Sequence, residues 1–167
     1  MTTSPTWIVC ERAGTWTAGL RASFAREPAA EPKPRLSETR TLGELKDRLT
    51  DSACQLVLIE FRPDNLGEAL QFVARTISQQ LRFVALLAID LDHLPADNSS
   101  TDRSTSSLAD LLWEIGAIEV IESPRQASRL IPLHSCLTAA CSKETGVVTE
   151  RPGLADWAWS CIPWQDA

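Results

Sequence analysis

The stretch QLVLIEFRPDNLGEAL, residues 55–70, carries the first chemical clue. An apolar run from Leu56 to Ile59 ends in Glu60, and Arg62, Pro63 and Asp64 follow before an amphipathic pattern begins. In an α/β protein the carboxyl ends of the strands share one crevice, and ligands bind there. Four such ends can be read from the chain. The first run presents Cys10, Glu11 and Arg12, and the run at 55–61 presents Glu60, Phe61 and Arg62. The next presents Ala88, Ile89 and Asp90, and the last Glu122, Ser123 and Pro124. A glutamate in that setting is a reacting group, a cation ligand shared with Glu11, or the partner of Arg12 or Arg62 in a plain ion pair.

The elements that must position these residues are legible. Apolar runs lie at 6–10, 55–61, 83–89 and 118–123, with a weaker one at 35–39. The runs at 6–10, 55–61 and 83–89 are nearly continuous, which suits strands covered on both faces of a parallel sheet. Helical stripes fall between them. Trp16, Leu20 and Phe24 recur every fourth residue, and Leu42, Leu45 and Leu49 follow. Leu66, Leu70, Val73, Ile77 and Leu81 make the cleanest stripe, and Leu108, Leu111, Leu112 and Ile115 make another. A last helix is expected from Pro124 to Cys141, with Pro132 kinking or breaking it. Thr41 with Glu44 and Ser107 with Asp110 read as capping boxes. Ser123, Pro124 and Gln126 read as an N-cap, a first-position proline and a reciprocal cap. Asp64 reads as the N-cap of the third helix. Five strand–helix alternations predict a three-layer α/β/α domain with a parallel sheet of order 2-1-3-4-5.

Residues 26–35 form a proline-rich connector and 95–107 a long polar loop. The domain is expected to span 1–144, leaving a tail at 145–167 that holds three of the six tryptophans.

Composition excludes several function classes. The net charge of −6 argues against a nucleic-acid partner, which wants a basic face. No apolar run nears the roughly 20 residues of a membrane span, and the first residues lack the pattern of a secretory signal, so a cytoplasmic protein is expected. The five cysteines form no C-x-x-C pair, and no metal set can be assembled from them with His93 and His134. They are expected to be reduced thiols, and both histidines structural or surface residues. No phosphate-binding or nucleophile motif is present.

The five-fold alternation together with GAIEVIESP, residues 116–124, resembles the response-regulator receiver domain over about residues 5–143. Gly116, Ala117, Val120, Ile121 and Pro124 match that family's pattern at the fifth strand, whereas Ser123 stands at its lysine position. The resemblance implies a flavodoxin-like fold and transfer of a phosphoryl group to an aspartate at the end of the third strand. It also implies Mg²⁺ held by acidic residues after the first strand, with a hydroxyl and a lysine on the phosphoryl oxygens. Carried over, the acceptor position is Glu60, only Glu11 (beside Arg12) can serve the metal, the hydroxyl position is Ala88 or Ile89, and the lysine position is Ser123. Four departures predict a degenerate phosphoacceptor pocket made of Glu11, Arg12, Glu60, Arg62, Ala88 and Ser123. The expectation is a non-catalytic pseudo-receiver without cofactor or metal, in which Glu60 is an ion-paired remnant or a permanent phosphate mimic.

Its partners are expected to be proteins. The resemblance implies a contact face on the fourth helix, fifth strand and fifth helix, also used for homodimers, and Trp113 is the candidate contact residue there. Trp157, Trp159 and Trp164 in the tail either dock a partner or fold back on the domain. The alternatives are a flavodoxin-like cofactor binder using GTWTAG (14–19), a working acceptor at Glu60 or Asp64, and a structural subunit anchored by its tail.

Overall fold

Strands without polar alternation need cover on both faces, and the order of elements supplies it. The computed structural model describes residues 5–27, 32–49, 55–77, 82–88 and 103–143. Strands β1 (Thr6–Cys10), β2 (Arg35–Thr39), β3 (Gln55–Phe61), β4 (Phe83–Leu87) and β5 (Ala117–Ile121) form one parallel sheet in the order β2-β1-β3-β4-β5. Between them run α1 (Thr15–Arg26), α2 (Leu42–Arg48), α3 (Leu66–Ile77) and α4 (Arg103–Glu114). A 3₁₀ segment, Pro124–Leu130, leads into α5 (Ile131–Lys143). The three-layer architecture and strand order are those expected from the alternation. No helix among the described residues is long and apolar enough to cross a membrane.

Side chains alternate across the sheet with period two, so each strand feeds two cores. Trp7, Val9, Leu56, Leu58, Val84, Leu86 and Ile121 face one way, against Trp16, Leu20 and Phe24 of α1, Leu130 of the 3₁₀ segment and Leu137 of α5. Ile8, Cys10, Val57, Ile59, Phe61, Phe83, Ala85 and Leu87 face the other way, against Leu45, Ala69, Val73 and Leu112 of α2, α3 and α4. His134 is buried in the first core, edge-on to Trp7 and Phe24, and Nε2 lies 2.7 Å from the Pro32 carbonyl oxygen. It is a structural residue.

Local signals set most boundaries. Thr41 Oγ1 accepts from Glu44 N, while the Glu44 carboxylate accepts from Arg40 N. Ser123 Oγ likewise accepts from Arg125 N, and the Gln126 side chain accepts from Glu122 N. The expected single helix from Pro124 is split. The chain runs as 3₁₀ to Leu130, and Pro132 is the second residue of α5, where a missing N–H costs no helical bond.

Three expectations are corrected. α4 begins at Arg103, so Ser107 is an interior residue and not the cap; serine and threonine are only modestly poor helix formers, and the pattern that starts at Leu108 extends upstream by a turn. Leu111 lies on the rim of its stripe and is exposed, because the helix buries only the side holding Leu112. β4 ends at Leu87, two residues before the apolar run does. Ile89, Asp90, His93, the loop at 95–102, and Trp157, Trp159 and Trp164 lie outside the described residues.

One close approach fixes how α1 sits. A Cβ added at Gly19 would lie 2.9 Å from the Pro124 carbonyl oxygen and 3.1 Å from Pro124 Cβ. Both obstacles belong to the rigid start of the 3₁₀ segment, so α1 would have to move. Gly19→Ala is therefore expected to destabilise the domain by about 1–3 kcal/mol despite alanine's better helix propensity. Urea unfolding measures it, and an unchanged or raised midpoint would contradict the packing argument.

Candidate functional site at the strand ends

The phase of two strands brings two acids together. Glu11 continues the row Trp7, Val9, and Glu60 continues the row Leu56, Leu58, so both acids stand on the α1 side of the sheet. β1 and β3 are neighbours with Cys10 opposite Ile59, which sets Glu11 and Glu60 at the same level. Both are buried, at 2% and 6% exposure. Buried carboxylates need donors, and the start of α1 provides them.

Glu11 is held entirely by its own chain. Its oxygens accept from Trp16 N at 2.8 Å, from Thr17 N at 2.8 Å and from the Thr17 hydroxyl. These are amides that an α-helix leaves unsatisfied at its start, and a negative charge is favoured there. Gly14 makes the arrangement reachable: it turns the chain in the left-handed region, φ 80°, immediately before α1. No side chain caps α1 from the Gly14 position, so Glu11 does that work from three residues upstream. Arg40 of the next loop donates to the Glu11 carbonyl oxygen at 3.2 Å and to Glu38 at 2.7 Å, tying β1 to β2.

Glu60 is held by the same segment. Oε2 accepts from Arg12 N at 2.7 Å, and Oε1 accepts from the Trp16 indole Nε1 at 3.2 Å. Trp16 thus donates to both acids, its backbone N–H to Glu11 and its ring N–H to Glu60, and is itself 3% exposed.

The expected ion pair takes a different form. Arg12 meets Glu60 through its backbone, while its guanidinium reaches Asp64 at 3.5 Å in solvent. Arg62 Nε is 4.0 Å from Glu60 Oε2 but 3.1 Å from Asp64 Oδ1. The short chain segment between Arg62 and Asp64 favours that pair, and Glu60 keeps the arginine only as a flanking charge. Asp64 is not the cap of α3. Asn65 stands there: its side chain accepts from Arg62 N and donates to the Glu60 carbonyl oxygen, each at 2.8 Å, and its own carbonyl accepts from Ala69 N.

Ala88 lies past β4, exposed, with its N–H on the Phe61 carbonyl, so this position brings no hydroxyl. Ser123 is occupied as the cap of the 3₁₀ segment. Among the described residues no group of three or more His, Cys, Asp or Glu side chains could hold a metal.

The residues missed in sequence are Trp16 and Asn65. The signal for Trp16 was present: the matching phase of Glu11 and Glu60 points both at the helix whose buried stripe it begins. Asn65 was signalled as the residue directly before the stripe that begins at Leu66.

Two results are expected here. Glu60→Asp withdraws the carboxylate by more than about 1 Å and strands the indole N–H, lowering stability by about 1–3 kcal/mol; a chemical-denaturation curve matching the native protein would refute the role given to Trp16. Burial pushes the Cys10 thiol above its ordinary range. The Cys10 peptide should take up a maleimide only in denaturant, and labelling of the folded protein at neutral pH would count against this burial.

Sequence comparisons find no matching family model and no matching curated protein. Among solved structures, the crystal structure of a CheY-like protein, TadZ, from Pseudomonas aeruginosa PAO1 matches with a TM-score of 0.55 and 19% sequence identity, over 90% of this chain and 100% of that chain. With the strand order β2-β1-β3-β4-β5, that likeness shows that this chain has the CheY-like, receiver-type version of the flavodoxin-like fold.

Proposed function

We propose that this protein is a receiver-like signalling domain that does no phosphoryl chemistry and acts by protein–protein contact. One observation carries the reading: each oxygen of Glu11 and Glu60 already accepts a hydrogen bond from the segment Arg12–Thr17. A divalent cation or a phosphoryl group would have to displace those donors. The neighbouring positions supply neither a hydroxyl, at Ala88, nor a free cation, at Ser123. Glu60 here serves as a fixed buried charge that holds α1 to β3, in the place where the receiver pattern carries a phosphoacceptor.

The same hydrogen bonds weigh against a flavodoxin-like cofactor site. A phosphate-binding loop at 14–19 would need the first amides of α1, and those of Trp16 and Thr17 are spent on Glu11.

The contact surface in this reading is α4, β5 and α5. Leu111 and Trp113 are the large apolar side chains left exposed among the described residues, at 38% and 45%. A half-exposed tryptophan on a helix is the kind of anchor that interfaces use. A homodimer through this face, a contribution from the tail at 145–167, and a cytoplasmic setting belong to the same proposal, as does the absence of nucleic acid and membrane from its partners.

Incubation with Mg²⁺ and a small acyl phosphate, followed by intact mass, is expected to give no phosphoryl adduct, and an adduct mapped to Glu60 or Asp64 would sink the proposal. Trp113→Ala is expected to lose partner proteins, or the dimer in light scattering, with the fold unchanged by circular dichroism. Retention of every partner by that variant and by a chain ending at Glu144 would remove both surfaces from the reading.

A further inference from the structure

Trp16 occupies an unusual position in this site. Its ring N–H is the sole side-chain donor within hydrogen-bonding distance of Glu60 among the described residues; the other hydrogen bond comes from backbone, and Arg62 stands at 4.0 Å. The loop after β1 carries Arg12 and the loop after β3 carries Arg62 and Asp64, with Arg12 and Asp64 largely exposed. The indole lies on the Glu60 oxygen that no backbone donor takes.

We infer that the Trp16 indole is a built-in occupant of the strand-end pocket, an autoinhibitory contact that keeps the Glu60 carboxylate from any external ligand. The inference deepens the proposed function, since it names what closes the site. It separates Glu60 from Glu11. Glu11 is closed by backbone amides and by Thr17, donors that survive any substitution of the Trp16 side chain. Glu60 is closed on one oxygen by the Arg12 backbone N–H and on the other by a side chain that rotates about two bonds. A chemical probe should therefore open the two acids unequally, whereas loss of packing would loosen both.

The test is amidation of carboxylates on the full chain, with a water-soluble carbodiimide and glycine ethyl ester, read by peptide mass spectrometry. The native protein, Trp16→Ala and Trp16→Phe are compared, with exposed Asp64 as the internal standard. In the native protein Glu60 and Glu11 should both label about tenfold or more below Asp64, as expected of groups reached only through local opening. In Trp16→Ala, Glu60 should rise to within about threefold of Asp64 while Glu11 stays protected. Trp16→Phe keeps most of the bulk and lacks the N–H, so Glu60 should rise there too, by a smaller factor. If Trp16→Ala does not fold, Trp16→Phe decides alone. Glu60 remaining protected in the folded variant overturns the inference. So does a parallel rise of Glu11 and Glu60, which would make the indole ordinary core mass. Neither result bears on the partner-capture and phosphorylation outcomes, so the closed-site device and the signalling role fail separately.

Discussion

Two carboxylates are buried side by side at the carboxyl edge of this sheet, and the fold around them is arranged to supply their donors. An unpaired ion in such a place would cost several kcal/mol. Here the cost is offset locally. The loop after β1 turns at Gly14, delivers two helix amides and a hydroxyl to Glu11, and then places an indole N–H and the Arg12 amide on Glu60. The geometry holds only if β1 and β3 are neighbours in register and α1 lies on the side to which both acids point.

The position of α1 is in turn set from its other side. Trp16, Leu20 and Phe24 form the buried stripe that packs on Trp7, Val9, Leu56 and Leu58, and Gly19 lets the helix come against Pro124. The site at one end of the helix and the contact with the 3₁₀ segment along its flank thus share one rigid body. On the opposite layer α4 leaves Leu111 and Trp113 in solvent, on the face proposed here for partners.

Much of this was legible in the chain. The alternation of apolar runs and helical stripes sufficed for the layers, because a parallel strand must be covered on both faces and each crossover must carry a helix; the strand order followed the common doubly wound pattern for a sheet of this size. The acids at the strand ends could also be read. What misled was proximity along the sequence. Asp64 looked like a cap, yet it holds Arg62 more closely than Glu60 does, and Asn65 takes the position before α3. Within three residues, several polar side chains compete for the same groups, and small differences in backbone direction decide among them.

The sequence by itself determined which rows of side chains share a face, since a period of two along β1 and β3 commits Glu11 and Glu60 to the same side as Trp7 and Leu56. It also determined that the acid carried near the end of β3 is a glutamate, one methylene longer than an aspartate. Only the tertiary structure decided which donors satisfy those acids. Trp16 lies five residues from Glu11 and 44 from Glu60, and its ring reaches Glu60 only after α1 has folded back across the sheet. Hydrogen bonds of that kind depend on distance and angle between elements that no local pattern encodes.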